Sequence, residues 1–83
     1  MPNGCRDVIE QLKADKKNRT FAELKAILER FGFTMHPSRR GTHRTFNRPG
    51  CRVSPTLRES RGHVLAAYVR AVISALEEIC DET

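Results

Sequence analysis

The chain has 83 residues, a formal net charge of +5, three cysteines and no tryptophan. A chain of this length folds as one domain around one small core, so we expect a single domain over residues 1–83. The sequence contains no long apolar run and no signal-peptide pattern. It therefore predicts a cytoplasmic protein without a membrane segment.

The cysteines Cys5, Cys51 and Cys80 are odd in number, widely spaced and without a C-x-x-C pair. This pattern indicates neither a disulfide framework nor a zinc site, so we expect free thiols and no bound metal. A zinc site built from Cys51 and the histidines is the alternative, but no spacing indicates tetrahedral geometry.

The basic residues are distributed unevenly along the chain. All four lysines lie in the N-terminal third, whereas residues 31–62 carry seven arginines against a single acid, Glu59. The planar fork of arginine matches phosphate better than the point charge of lysine does. The bias therefore points to a polyanion, most commonly a nucleic acid. The alternative is that the arginines only solubilise a hairpin.

Two helices are predicted before the arginine-rich part. A narrow apolar stripe in residues 5–16 predicts the first helix. Residues 20–23 have the Ser/Thr-x-x-Glu form of a capping box, and apolar residues follow at the spacing of one helix face. This pattern predicts a second helix from Thr20 to Phe31, with Gly32 as its C′ stop.

Three strands and a last helix are predicted next. Residues 33–36 alternate apolar and polar side chains, and Pro37 ends this strand. Residues 38–41 form a turn in which Gly41 supplies a positive φ, residues 42–48 form the second strand, and residues 51–54 form the third. A broad apolar stripe over residues 64–79 predicts a closing helix that covers one face of the sheet.

This order of elements predicts a small α+β domain with a three-stranded antiparallel sheet and helices on one face. The α-β-β-β-α order resembles the double-stranded-RNA-binding domain in topology, with an extra N-terminal helix in residues 1–19 and a core in residues 20–79. On the second strand, alternation directs Phe46 toward the core and His43 toward the open sheet face.

The chemistry of this segment fits RNA cleavage. RNA carries its own nucleophile, the 2′-OH, so a ribonuclease needs a base, cationic groups for the transition state and a proton for the leaving oxygen. We expect His43 to be the base in a reaction that needs no metal or small-molecule cofactor. The RNA-binding candidates surround it along the chain: Arg39, Arg40, Gly41, Thr42, Arg44 and Arg48.

Two of these residues have alternatives. Arg44 shares a strand face with Phe46, so it can extend from the edge of the core instead of touching RNA. A histidine in a hairpin is often only a surface residue, so His43 needs its sequence context to be singled out.

That context resembles the HicA family of bacterial toxins, mRNA interferases of type II toxin-antitoxin systems. The family signature is a helix ending in Gly-Phe, followed by Gly-Ser-His and an aromatic residue three positions after the histidine. Gly41, His43 and Phe46 match this signature, while Thr42 replaces the serine and keeps a hydroxyl. Residues 68–72 are similar to the C-terminal helix of the family, so the resemblance covers roughly residues 20–79.

The resemblance implies a double-stranded-RNA-binding-like fold, a role in the stress response, mRNA cleavage dependent on His43 and neutralisation by a HicB-type antitoxin protein. Residues 54–57 lack the second histidine that some members place there, which leaves the general acid unassigned. Two other functions compete with the endoribonuclease: a non-catalytic RNA-binding module of the same fold and a protein-interaction domain whose arginines meet an acidic partner.

Overall fold

The structure is a computed structural model and describes residues 4–36, 41–59 and 61–80. Within these ranges the elements are α1 (Cys5–Ala14), α2 (Phe21–Arg30), β1 (Thr34–His36), β2 (His43–Asn47), β3 (Thr56–Arg58) and α3 (Ala66–Cys80). The predicted α+β class is confirmed, and the strands form an antiparallel sheet in the order β1-β2-β3. The expected turn residues 37–40, including Arg39 and Arg40, lie outside the described residues.

Helix α2 begins and ends where the sequence predicts. The Thr20 side chain accepts a hydrogen bond of 3.2 Å from the Glu23 backbone N–H, so it caps the first turn. At the other end Gly32 has a φ of +93°, and the Phe33 N–H donates to the Leu28 carbonyl over 2.9 Å. This is a Schellman ending, which turns the chain directly into β1.

The predicted position of the third strand is wrong. Residues 51–54 form a loop, and β3 occupies Thr56–Arg58 instead. Pro55, which we expected to end the strand, lies just before it and is fully buried, and its carbonyl accepts a 2.9 Å hydrogen bond from the Phe46 N–H. A proline is tolerated at the start of an edge strand because its missing N–H is not needed there.

The helices bury one face of the sheet. Phe46 on β2 and Leu57 on β3 are fully buried and join the apolar stripes of the helices in one core. Helix α1 adds Val8, Ile9 and Leu12 to the same core and packs on α3. The N-terminal helix is thus part of the domain core, and burial of its apolar stripe contributes to the stability of the fold.

The expectation of three free thiols is wrong, because Cys5 and Cys80 form a disulfide between the start of α1 and the end of α3. Only Cys51 remains as a free, half-buried thiol. The two cysteines have a sequence separation of 75, so no local spacing motif predicts that they pair.

The opposite face of the sheet is polar. The strand register places the following side chains on it: Thr34, His36, His43, Thr45, Asn47, Thr56 and Arg58. We call this set the open face. Both histidines and Arg58 are exposed there, and the hydroxyls of Thr45 and Thr56 meet at 3.0 Å across the two strands. None of the helices within the described ranges combines the length and apolar character needed to cross a bilayer.

Candidate functional site

His43 lies at the first position of β2, directly across from Arg58 on β3. The Glu59 N–H donates to the Thr42 carbonyl over 2.6 Å beside this pair. His43 and Arg58 therefore form a non-hydrogen-bonded pair, the arrangement that brings opposite side chains closest in an antiparallel ladder. An imidazole and a guanidinium consequently share one exposed end of the open face.

Tyr68, near the start of α3, contacts the His43 ring. Its hydroxyl oxygen lies 3.4 Å from His43 Nε2, and the two rings meet edge-on at an interplanar angle of 62°. This long hydrogen bond joins the start of α3 to the exposed imidazole at the start of β2. The ring nitrogen that faces Tyr68 is Nε2, so Nδ1 is the nitrogen that this contact does not engage.

His36 ends β1 on the same face as His43. Its direct partner on β2 is Thr45, two positions after His43, so the two histidines are diagonal neighbours. Residues in this relation lie about 7–8 Å apart, with their Cβ atoms somewhat closer. No sequence motif singles out His36 as a site residue.

Gly41 and Thr42 lead into β2 at this end of the sheet. Gly41 has a φ of +73°, which confirms the predicted turn position that favours glycine. Both residues are exposed. The Thr42 carbonyl accepts the hydrogen bond from the Glu59 N–H, and Thr42 is exposed directly before His43 in the chain.

Arg44 points to the other side of β2 from His43. Its strand partner is the buried Leu57, its guanidinium forms an ion pair of 3.0 Å with Glu59, and it donates to the carbonyls of Gly41 and His43. These contacts hold the turn that leads into β2. Arg44 therefore lies at the edge of the core, as the alternative to an RNA contact predicts for this residue.

Arg48 lies beyond the opposite end of β2 from His43. Its side chain packs against Gly32, where a Cβ would meet Arg48 Nε at 3.1 Å, and it lines a surface cleft with Phe31, Cys5 and Cys80. The five residues of β2 separate Arg48 from the turn before His43, a span of about 17 Å. The structure therefore does not bring Arg48 together with His43.

Sequence reasoning missed Arg58, Tyr68 and His36 as neighbours of His43. Arg58 fell into a predicted loop because the third strand was placed too early in the chain. Tyr68 fits the apolar stripe of α3, a pattern typical of core residues, whereas it is only half buried. The one available signal was the strand alternation of residues 33–36, which already directs His36 away from Met35.

The described residues contain no group of three or more His, Cys, Asp or Glu side chains that could hold a metal ion. The free Cys51 thiol lies near the carbonyls of Val53 and Ala75. Comparison of the chain with protein-family models, with curated proteins and with solved structures gives no match.

Proposed function

We propose that this protein is an endoribonuclease that cleaves mRNA with His43 as the general base. The observation that carries the proposal is the position of His43: an exposed imidazole on the open face, opposite Arg58 and in contact with Tyr68. Arginine and imidazole are the two side chains that cleavage at a phosphodiester needs most, one for charge and one for proton transfer.

In this mechanism His43 removes the proton of the 2′-OH. The 2′-oxygen forms a bond to phosphorus, and the bond from phosphorus to the 5′-oxygen breaks. Arg58 faces the same space and can donate hydrogen bonds to the phosphate oxygens while negative charge builds up on them. The products are a 2′,3′-cyclic phosphate and a 5′-hydroxyl.

The biological role follows from the resemblance to HicA toxins. It implies a toxin of a type II toxin-antitoxin system, a double-stranded-RNA-binding-like arrangement of sheet and helices, and a HicB-type antitoxin as protein partner. An antitoxin laid over the open face would block His43. The proposal assigns the protein to the cytoplasm, where thiols are kept reduced, so the link between Cys5 and Cys80 would be open in the working protein.

The decisive experiment treats single-stranded RNA with purified protein in EDTA. We expect cleavage to products with 2′,3′-cyclic phosphate ends, and no cleavage of the same sequence carrying 2′-O-methyl groups, because the nucleophile is then blocked. Salt-dependent binding without cleavage would favour the RNA-binding module. Absence of both cleavage and salt-dependent binding would favour the protein-interaction domain.

The arginines of the turn before Gly41 should bind RNA phosphates. We expect Arg39→Glu with Arg40→Glu to weaken RNA binding and to reduce the slope of log K against log salt by about one unit for each phosphate that the variant no longer neutralises. Binding is measured by fluorescence anisotropy in a His43→Ala background, where the RNA stays intact.

The matched control for this change is Lys17→Glu with Arg70→Glu. These two residues line a cleft between the end of α1 and the start of α3, and the substitution changes the net charge by the same amount. It should leave the salt slope near the wild-type value. Equal slopes for both double variants would assign Arg39 and Arg40 to solubility.

A further inference from the structure

We propose that His36 is the general acid of this site, the group that protonates the leaving 5′-oxygen. The inference rests on the proposed endoribonuclease function and supplies the proton donor that the sequence leaves unassigned. It is carried by the strand register, which places the second imidazole on the same exposed face as His43 and one diagonal step away.

The spacing suits the geometry of the reaction. Attack by the 2′-oxygen and departure of the 5′-oxygen are roughly in line through the phosphorus atom, so a base and an acid must stand on opposite sides of one phosphate. Two imidazoles on strand positions about 7–8 Å apart can each hydrogen-bond one of these oxygens. Arg58, directly opposite His43 on β3, completes a row of three side chains from β1 to β3.

The other polar groups near His43 are less suited to this role. The Tyr68 hydroxyl lies at Nε2 of His43, which places it at the base and not at the leaving group. Arg44 is turned to the other side of β2 and paired with Glu59. His63 lies outside the three strands, bridged through its backbone to Thr20, and it lines a cleft with Arg58 and Tyr68, on the β3 side of His43 and not on the β1 side.

The two histidines account for both proton transfers of the reaction. His43 takes the 2′-OH proton and becomes an imidazolium, while the imidazolium of His36 gives its proton to the 5′-oxygen as the bond to phosphorus breaks. His43 then holds the additional proton and His36 is neutral. Exchange with water, or hydrolysis of the cyclic phosphate with the two roles reversed, restores the starting state.

The test compares two oligoribonucleotides of one sequence. One has ordinary linkages, and the other has sulfur in place of the 5′-oxygen at the cleaved linkage, where a thiolate leaves without needing a proton. We expect His36→Ala to slow cleavage of the ordinary linkage by about 10²-fold or more, and cleavage of the sulfur linkage by less than about threefold. His36→Asn should behave in the same way, since an amide cannot supply the proton.

The pH profile provides an independent readout. With the ordinary linkage the wild-type rate should fall at high pH, where an imidazole loses its proton, and this fall should disappear with the sulfur linkage. Equal slowing of both linkages by His36→Ala, or no slowing of either, would overturn the assignment of His36 while leaving the ribonuclease function intact. A wild-type protein that cleaves neither linkage would instead overturn the proposed function itself.

Discussion

Replacing His43 with alanine should abolish RNA cleavage, with a loss of about 10²–10⁴-fold in rate, the range expected for removal of a general base. The fold should persist, because an exposed position at the start of β2 contributes little packing energy. RNA binding should also persist, because the arginines are unchanged. Cleavage is measured under single-turnover conditions, and thermal unfolding and anisotropy give the other two quantities.

The wild-type rate should fall as the pH is lowered through the range in which an imidazole gains a proton. Only the neutral ring can accept the 2′-OH proton, so the low-pH limb reports the base. His63→Ala is the comparison variant, since it removes the exposed imidazole that lies outside the three strands and lines a cleft with Arg58 and Tyr68; it should retain the low-pH limb. A folded His43→Ala protein that cleaves RNA at the wild-type rate would contradict the catalytic role and favour the binding module.

Reducing the disulfide between Cys5 and Cys80 should lower the free energy of unfolding by a large amount. Closing a loop over a sequence separation of 75 residues stabilises the folded state by about 4.5 kcal/mol in the chain-entropy model. Domains of this size have a total free energy of unfolding of about 5–15 kcal/mol, so the decrease would be a large share of it. Urea unfolding with and without dithiothreitol measures the difference.

The cysteine variants make this measurement specific. Cys5→Ser with Cys80→Ser should unfold at the midpoint of the reduced wild type and should not respond to reductant. Cys51→Ser removes the free thiol and should respond as the wild type does. An unchanged wild-type midpoint in reductant would contradict the prediction.

Reduction should leave cleavage unchanged at temperatures where the protein remains folded. The disulfide lies at the end of α3 opposite to Tyr68, and the helical rise from Tyr68 to Cys80 is about 18 Å. Helix α1 also keeps its own apolar stripe in the core. The site therefore depends on the packing of α3 and not on the covalent link.

The sequence alone determined the features that depend on neighbouring residues. The capping box at Thr20, the stop at Gly32 and the turn glycine Gly41 each follow from local hydrogen bonding and backbone conformation. Alternation along β2 was enough to place Phe46 and His43 on opposite faces of the sheet, because successive side chains of a strand point to opposite faces. These features are all confirmed.

Only the tertiary structure decided which distant residues meet. Local pattern placed the third strand too early in the chain, because Pro55 was taken as its end, whereas pairing with β2 places it as the start. The neighbours Arg58 and Tyr68 of His43, and the pairing of Cys5 with Cys80, depend on strand register and on how α3 packs against β3 and α1. Such contacts join residues far apart in the chain, and the free energy that selects them comes from burying the whole core and not from any short motif.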